Sequence, residues 1–134
     1  MKITEVVGAR MPNSKQPIIS VIIRTNNKEK WIGRCLQSVF DQKVDAKLEV
    51  ILVDNDSTDN TLSIAKRYPV SKFINIKKYF PGKALNYGIS KSKGDYIVCL
   101  SAHCEPENNL WLSKLLKNLK DEDNFAGVYG RQLP

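Results

Sequence analysis

Residues 48–61 read LEVILVDNDSTDNT. From Leu48 to Val53 the run is apolar except at Glu49, and it stops at three polar residues, Asp54, Asn55 and Asp56. A strand with one solvated face alternates apolar and polar positions. A strand that is apolar almost throughout is covered on both faces, as in a parallel sheet flanked by helices. STDNTLSIAKRYP (57–69) then reads as a helix, with Ser57 or Thr58 as its cap and Pro69 as its stop.

Other segments repeat this strand-then-helix form. PIISVIIR (17–24) is a β-branched run, and KEKWIGRCLQSVFDQ follows it with Trp31, Ile32, Cys35, Leu36, Val39 and Phe40 at helical spacing. KFINIKK (72–78) is a short third strand. After Pro81 and Gly82, KALNYGISKSKG places Ala84, Leu85, Gly88 and Ile89 on one face, with Gly94 as the C-terminal stop. DYIVCLS (95–101) is the fourth strand. Pro106 suits the first turn of a fourth helix, whose stripe is Leu112, Leu115, Leu116 and Leu119. FAGVYG (125–130) is a candidate fifth strand. Four such pairs with right-handed crossovers predict an α/β open sheet, mostly parallel, with helices on both faces, and the order taken for it is 3-2-1-4. Residues 1–16 read as a loose lead-in and residues 17–134 as one domain.

Composition sets bounds on function. Of the 134 residues 42% are hydrophobic and 26% charged, ordinary values for a globular chain. No apolar run approaches the ~20 residues of a membrane-spanning helix. The N-terminus lacks the apolar core of a signal peptide, so the expected location is cytoplasmic, including the inner face of the membrane. Three cysteines, an odd number, argue against a disulfide framework. Lysine and arginine exceed acids by 21 − 14, giving +7. That excess fits an anionic ligand or peripheral contact with an anionic membrane, and it equally fits a solvated lysine face.

In an open α/β sheet, ligands bind beyond the carboxyl ends of the strands, where strand order reverses. Arg24, Thr25 and Asn26 end the first strand, Asp54, Asn55 and Asp56 the second, and Ser101, Ala102 and His103 the fourth. The order 3-2-1-4 sets these clusters side by side along one edge. Lys83 opens a helix near the same edge, where a cation and a helix N-terminus together suit a diphosphate.

SVIIRTNNKEKWIGRCLQSV, LEVILVDNDSTDNT and PGKALNYGISKSKGDYIVCLSAHCEP, in this order, resemble the N-terminal half of a family 2 glycosyltransferase, from about residue 18 to 130. The resemblance implies a three-layer, Rossmann-like GT-A fold. It implies transfer of a sugar, with inversion, from a nucleoside-diphosphate sugar to a hydroxyl of an acceptor glycan, lipid or protein. Carried over by position, Arg24, Thr25, Asn26, Asp54, Asn55 and Asp56 would hold base and ribose, with Lys83 near the diphosphate. Arg24 stands where a small residue is usual and Asn26 where an aromatic often stacks the base. Asp59 reads instead as a helix cap.

The family's Asp-x-Asp element, whose last carboxylate binds a divalent ion, aligns with Ser101-Ala102-His103. Both carboxylates are missing, and His103 takes the metal-ligand position. Imidazole suits manganese better than magnesium, which prefers oxygen ligands. Three readings stay open here. His103 binds a divalent ion (Mn or Mg) with help from Glu105, or it donates directly to the diphosphate, or the site has lost its chemistry. A zinc site from Cys99, His103 and Cys104 is disfavoured because those groups do not converge along a strand. No acidic residue qualifies as the catalytic base, so the chain is expected to be a donor-binding portion, truncated before the acceptor part and poorly active alone. Two alternatives are a nucleotidyltransferase, which lacks its Gly-rich loop in IIRTNNKEKW, and a non-catalytic nucleotide-binding or interaction module. Nucleic acid is not an expected partner, since no aromatic stacking platform is evident.

Overall fold

The apolar runs become the interior strands of one sheet. The computed structural model describes residues 4–9, 16–78, 80–121 and 127–130. In chain order the elements are β1 (Thr4–Ala9), β2 (Ile18–Thr25), α1 (Glu29–Phe40), β3 (Lys47–Asp54), α2 (Thr61–Ala65), β4 (Lys72–Asn75), α3 (Pro81–Ser90), β5 (Tyr96–Ser101), α4 (Trp111–Lys120) and β6 (Gly127–Gly130). The sheet order is β4-β3-β2-β5-β1-β6. Its first four members are the four strands read from the sequence, in the expected 3-2-1-4 order, and all three of their pairings are parallel. β1 pairs antiparallel with β5 and with β6.

Both faces of β2, β3 and β5 are buried, which is why these strands carry so few polar residues. Alternate side chains enter different cores. Val21, Ile23, Val50, Leu52, Val98 and Leu100 pack with Ile32, Leu36 and Val39 of α1 and with Leu112, Leu115 and Leu119 of α4. Ile22, Ile51, Val53, Ile97 and Cys99 face the other way, against Ala84, Leu85 and Ile89 of α3. The helices on the β2-to-β3 and β4-to-β5 crossovers thus lie on opposite faces, as right-handed connections demand when the direction across the sheet reverses. No helix among the described residues is long and apolar enough to cross a membrane.

Several local expectations are corrected. Part of the segment read as a lead-in is strand β1. The second helix is one short turn and a half, Thr61–Ala65, with Asn60 rather than Ser57 or Thr58 at its cap position. β4 is shorter than the apolar run that suggested it. α4 begins at Trp111, so Pro106 lies in the preceding loop and not in its first turn. The candidate strand at 125–130 is described only from Gly127 onward.

Gly94 is not a helix stop, because α3 already ends at Ser90. Its N–H donates to Ser20 Oγ at 2.8 Å, and a Cβ there would sit 2.4 Å from that oxygen and 2.7 Å from the Ser20 backbone nitrogen. Ser20 is buried in the sheet and also donates to Glu49 Oε2, so it has no room to move. A Cβ added at Gly82, in the first turn of α3, would meet nothing within 4 Å. Gly94→Ala is therefore expected to destabilise the protein by about 1–3 kcal/mol through overpacking. Gly82→Ala should be neutral or stabilising by up to about 1 kcal/mol. Paired thermal melts read the difference directly.

Candidate functional site

After β2 the chain moves to β3 and then β4, and it returns across the other face to β5 on the far side of β2. The loops following β2 and β5 diverge and leave a crevice at the strands' carboxyl ends. A cleft of about 250 Å³ lies there, lined by Arg24, Thr25, Asn26, Lys28, Asn55, Ser101 and His103.

The loops bounding this cleft are fastened to one another. Asn27 adopts a left-handed backbone, φ 48°. From there its Oδ1 accepts the Thr58 N–H at 2.8 Å, while its own N–H donates to Ser57 Oγ at 2.9 Å. The Lys28 N–H donates to Thr61 Oγ1 at 2.8 Å. At the starts of the two helices the exchange is reciprocal: the Glu29 N–H donates to Asp59 Oδ2 at 3.1 Å, and the Asn60 N–H to Glu29 Oε2 at 3.0 Å. Asp59 Oδ1 also accepts the Thr61 N–H at 2.9 Å, so the capping role read for Asp59 holds. Asn26 Nδ2 donates to the Asn55 carbonyl, and the Asn55 N–H to the Thr25 carbonyl, closing the gap between the tips of β2 and β3.

Four of the residues read as site candidates do not line the cleft. Asp54 is 2% exposed, and its carboxylate accepts the N–H and hydroxyl of Ser57. Asp56, at φ 51°, is turned toward β4, where Asn75 Nδ2 donates to it at 3.1 Å. Ala102 is fully buried in the larger core, because side chains alternate and its neighbours Ser101 and His103 take the cleft side. Lys83 is exposed with its ammonium 4.9 Å from the centre of the Phe80 ring. Sequence reading in turn missed Lys28. In the lysine-rich KEK context it looked like any solvated lysine, although its place between a strand tip and a helix start was a usable signal.

Ser101 and His103 interact directly, with Ser101 Oγ 2.9 Å from His103 Nδ1. Partial burial first, and then the charges of Lys28 and Arg24, hold the imidazole below its ordinary pKa, which favours the neutral ring. Among the described residues no carboxylate lines the cleft. Glu105, read as a helper for a metal at His103, is instead paired with Arg34 at 3.1 Å. Cys99 and Cys104 belong to cores on opposite faces of the sheet, so they cannot converge with His103 on zinc. Burial, followed by Cys104 and Glu105, pushes the Cys35 thiol up to about 12, which makes it a poor nucleophile or ligand. Among the described residues no group of three or more His, Cys, Asp or Glu could hold a metal ion. One imidazole with neutral hydroxyl and amide oxygens beside two cations is a poor donor set for a divalent ion.

A larger groove, about 660 Å³, lies between the end of α1 and residues 106–109. Its central side chain, Gln42, donates to the carbonyls of Ser38 and Asn108 and accepts the Leu112 N–H, so it acts as a clamp on the loop before α4.

The family model for Glycosyl transferase family 2 matches residues 20–132, which covers both the fastened loops and the cleft. The chain belongs to glycosyl transferase family 2. The dolichyl N-acetyl-alpha-D-glucosaminyl phosphate 3-beta-D-2,3-diacetamido-2,3-dideoxy-beta-D-glucuronosyltransferase of Methanococcus voltae is 37% identical to it over 124 residues, covering 84% of this chain and 38% of that protein. The crystal structure of S. aureus TarS 1–349 in complex with UDP-GlcNAc superposes with a TM-score of 0.68 at 27% identity, over 77% of this chain and 31% of that one. The mannosyltransferase PcManGT from Pyrobaculum calidifontis, in complex with GDP-Man and Mn2+, gives 0.66 at 27% identity, over 83% and 34%. This family 2 chain thus spans well under half the length of these relatives.

Two outcomes follow from this geometry. His103 is the only histidine, so its ring-proton NMR titration should show a midpoint below the ordinary histidine value, rising when Lys28→Ala removes a nearby positive charge. Asp54→Ala should cost about 1–3 kcal/mol of stability by stranding the Ser57 groups. His103→Ala, at an exposed position, should shift stability by no more than about 0.5 kcal/mol. Urea unfolding compares the two.

Proposed function

We propose that this chain holds the nucleoside-diphosphate sugar of a glycosyltransferase that moves the sugar to an acceptor hydroxyl with inversion at the anomeric carbon. The observation that carries the reading is the division of chemistry within the cleft. Thr25, Asn26 and Asn55 offer hydroxyl and amide groups, and Arg24, Lys28 and His103 offer cations and a nitrogen donor. A nucleoside diphosphate has the same division, with neutral donors and acceptors on base and ribose and charge on the phosphates. Thr25 adds support: its buried Oγ1 has no hydrogen-bond partner among the described residues. A buried hydroxyl left in that state costs about 1–3 kcal/mol, which a ligand hydroxyl would relieve.

The cleft is smaller than the ~300–1,000 Å³ typical of small-molecule sites, so it suits part of the donor rather than all of it. Inversion calls for one in-line displacement, in which a carboxylate takes the acceptor proton and positive groups stabilise the departing diphosphate. Among the described residues the lining contains the positive groups and no carboxylate. The base is therefore assigned to a part of the enzyme outside this cleft, and this chain by itself is expected to bind donor and transfer sugar slowly.

Calorimetry with UDP, GDP and dTDP, followed by transfer assays with the matching sugar nucleotides, tests both statements. Binding of at least one nucleoside diphosphate with transfer near background is the expected pattern. Brisk transfer by this chain would remove the claim of an external base. Failure to bind any of the three would remove the donor site.

A further inference from the structure

We infer that the outer flank of α3, with the loop leading into it, docks this chain onto an anionic membrane surface. The charge of the chain is unevenly spread. Residues 60–94 hold eight of the 21 lysines and arginines and none of the 14 acids, which leaves 13 basic against 14 acidic residues elsewhere. The whole excess of +7 therefore comes from one stretch, and α3 is its longer helix. One face of α3 is used by the fold: Ala84, Leu85 and Ile89 join the core of Ile22, Ile51 and Val53. The outward flank carries Phe80, Lys83, Tyr87 and Lys91, spaced three or four residues apart so that they form a row. Phe80 is 47% and Tyr87 46% exposed. Each ring has an ammonium beside it, Lys83 Nζ at 4.9 Å from the centre of Phe80 and Lys91 Nζ at 5.4 Å from that of Tyr87. Lys77 and Lys78, both exposed, precede the helix in the loop from β4. Among the described residues none of these four lysines is paired with a carboxylate, whereas Lys72 approaches Glu49 at 3.7 Å and is left out of the patch.

A solvated lysine face has no need of aromatic rings, and rings kept on a surface in contact with water are unfavourable there. A bilayer surface satisfies both kinds of group at once. Its anionic headgroups attract the lysines, and its interfacial layer takes up the rings. The lysine stems lie along the rings while their ammonium groups stay among the headgroups. Single-stranded nucleic acid also binds cations and rings, but it does so in a groove that follows its backbone. A helix flank is convex and fits a plane instead. The patch also has a definite place in the fold. β4 runs parallel to β3, and β3 to β2, so the end of β4 and the start of α3 lie on the carboxyl edge of the sheet, the edge that holds the cleft. Docking through Lys77, Lys78, Phe80 and Lys83 brings that edge toward the bilayer.

The experiment is co-sedimentation of the intact chain with vesicles of phosphatidylcholine alone and of an equal mixture of phosphatidylcholine and phosphatidylglycerol. The expected result is binding to the mixed vesicles at least about tenfold stronger than to the neutral ones, and weakened by added salt. Lys83→Gln with Lys91→Gln should weaken it by more than about tenfold. Lys114→Gln with Lys117→Gln removes the same charge from α4, which packs on the other face of the sheet, and should weaken it by less than about threefold. Phe80→Ser with Tyr87→Ser leaves the charge unchanged and should weaken it by about tenfold. All six positions are exposed, and melting curves confirm that each variant is folded. Failure to bind the mixed vesicles, equal binding to the neutral ones, or equal weakening by the α3 and α4 pairs overturns the inference. Binding indifferent to the loss of the two rings also overturns it, since adsorption of any basic surface would then suffice. A dimer that Phe80→Ser with Tyr87→Ser dissociates assigns the face to a second copy of the chain, and tighter binding to a single-stranded oligonucleotide than to the vesicles assigns it to nucleic acid; either result overturns the membrane reading.

Discussion

The cleft exists because the loop after β2 is fixed to the loop after β3. Strands covered on both faces carry few polar groups away from their ends, so ligand chemistry on such a sheet gathers at its carboxyl tips. Tips alone are floppy. Here residues 26–29 and 54–61 are tied by side-chain and backbone hydrogen bonds in both directions, several of them 2.8–3.1 Å long. Each contributes only about 0.5–1.5 kcal/mol net, but they act on the same few residues and leave the loops one arrangement. Asn27 and Asp56 sit at positive φ to make it possible, a region that asparagine and aspartate tolerate better than other non-glycine residues. The polar stretch DNDSTDNT is accordingly a structural device first. Asp54, Ser57, Asp59 and Thr61 face the loops, and Asn55 faces the cleft.

That division explains what the sequence could and could not disclose about the site. Runs such as PIISVIIR and LEVILVDN announced their burial by lacking alternation, the succession of strands and helices gave an open parallel sheet, and the expected order 3-2-1-4 set its reversal beside β2. The convergence of Arg24, Thr25, Asn26, Asn55, Ser101 and His103 was legible for that reason. Which member of a polar triplet turns toward ligand was not. Along Asp54-Asn55-Asp56 the middle residue lines the cleft while its neighbours are taken by Ser57 and Asn75. Likewise Ser101 and His103 line it while Ala102 enters the core. Those choices depend on backbone turns and on partners about thirty residues away, as in the Asn27–Thr58 contact. Lys28 was obscured by its neighbours, since charge alone does not separate a cleft lysine from a solvated one.

The edge beyond β5 shows a similar limit. Thr4–Ala9 is a six-residue strand, too short and too far from its partner in sequence for local pattern to assign. Its pairing is with β5, roughly ninety residues later, and with β6 at the other end of the described chain. Only the assembled sheet creates the place it fills. Its antiparallel direction also explains why counting strand-helix pairs missed it, since a crossover helix is needed only between parallel neighbours.

The charge excess of +7 bears on all this in a limited way. Much of it is surface: Lys72 approaches Glu49, Arg34 pairs with Glu105, and Lys83 and Lys91 lie over aromatic rings. Such groups create a field that draws anions and is screened beyond about 8–10 Å at physiological salt. They cannot distinguish one anion from another. Selection requires fixed groups at short range, and the cleft at the carboxyl ends of β2 and β5 supplies such groups in Arg24, Lys28, Asn55 and His103. Ser101 and His103 bring a hydroxyl and an imidazole to that short range, groups whose hydrogen bonds depend on direction where the field of a distant lysine does not.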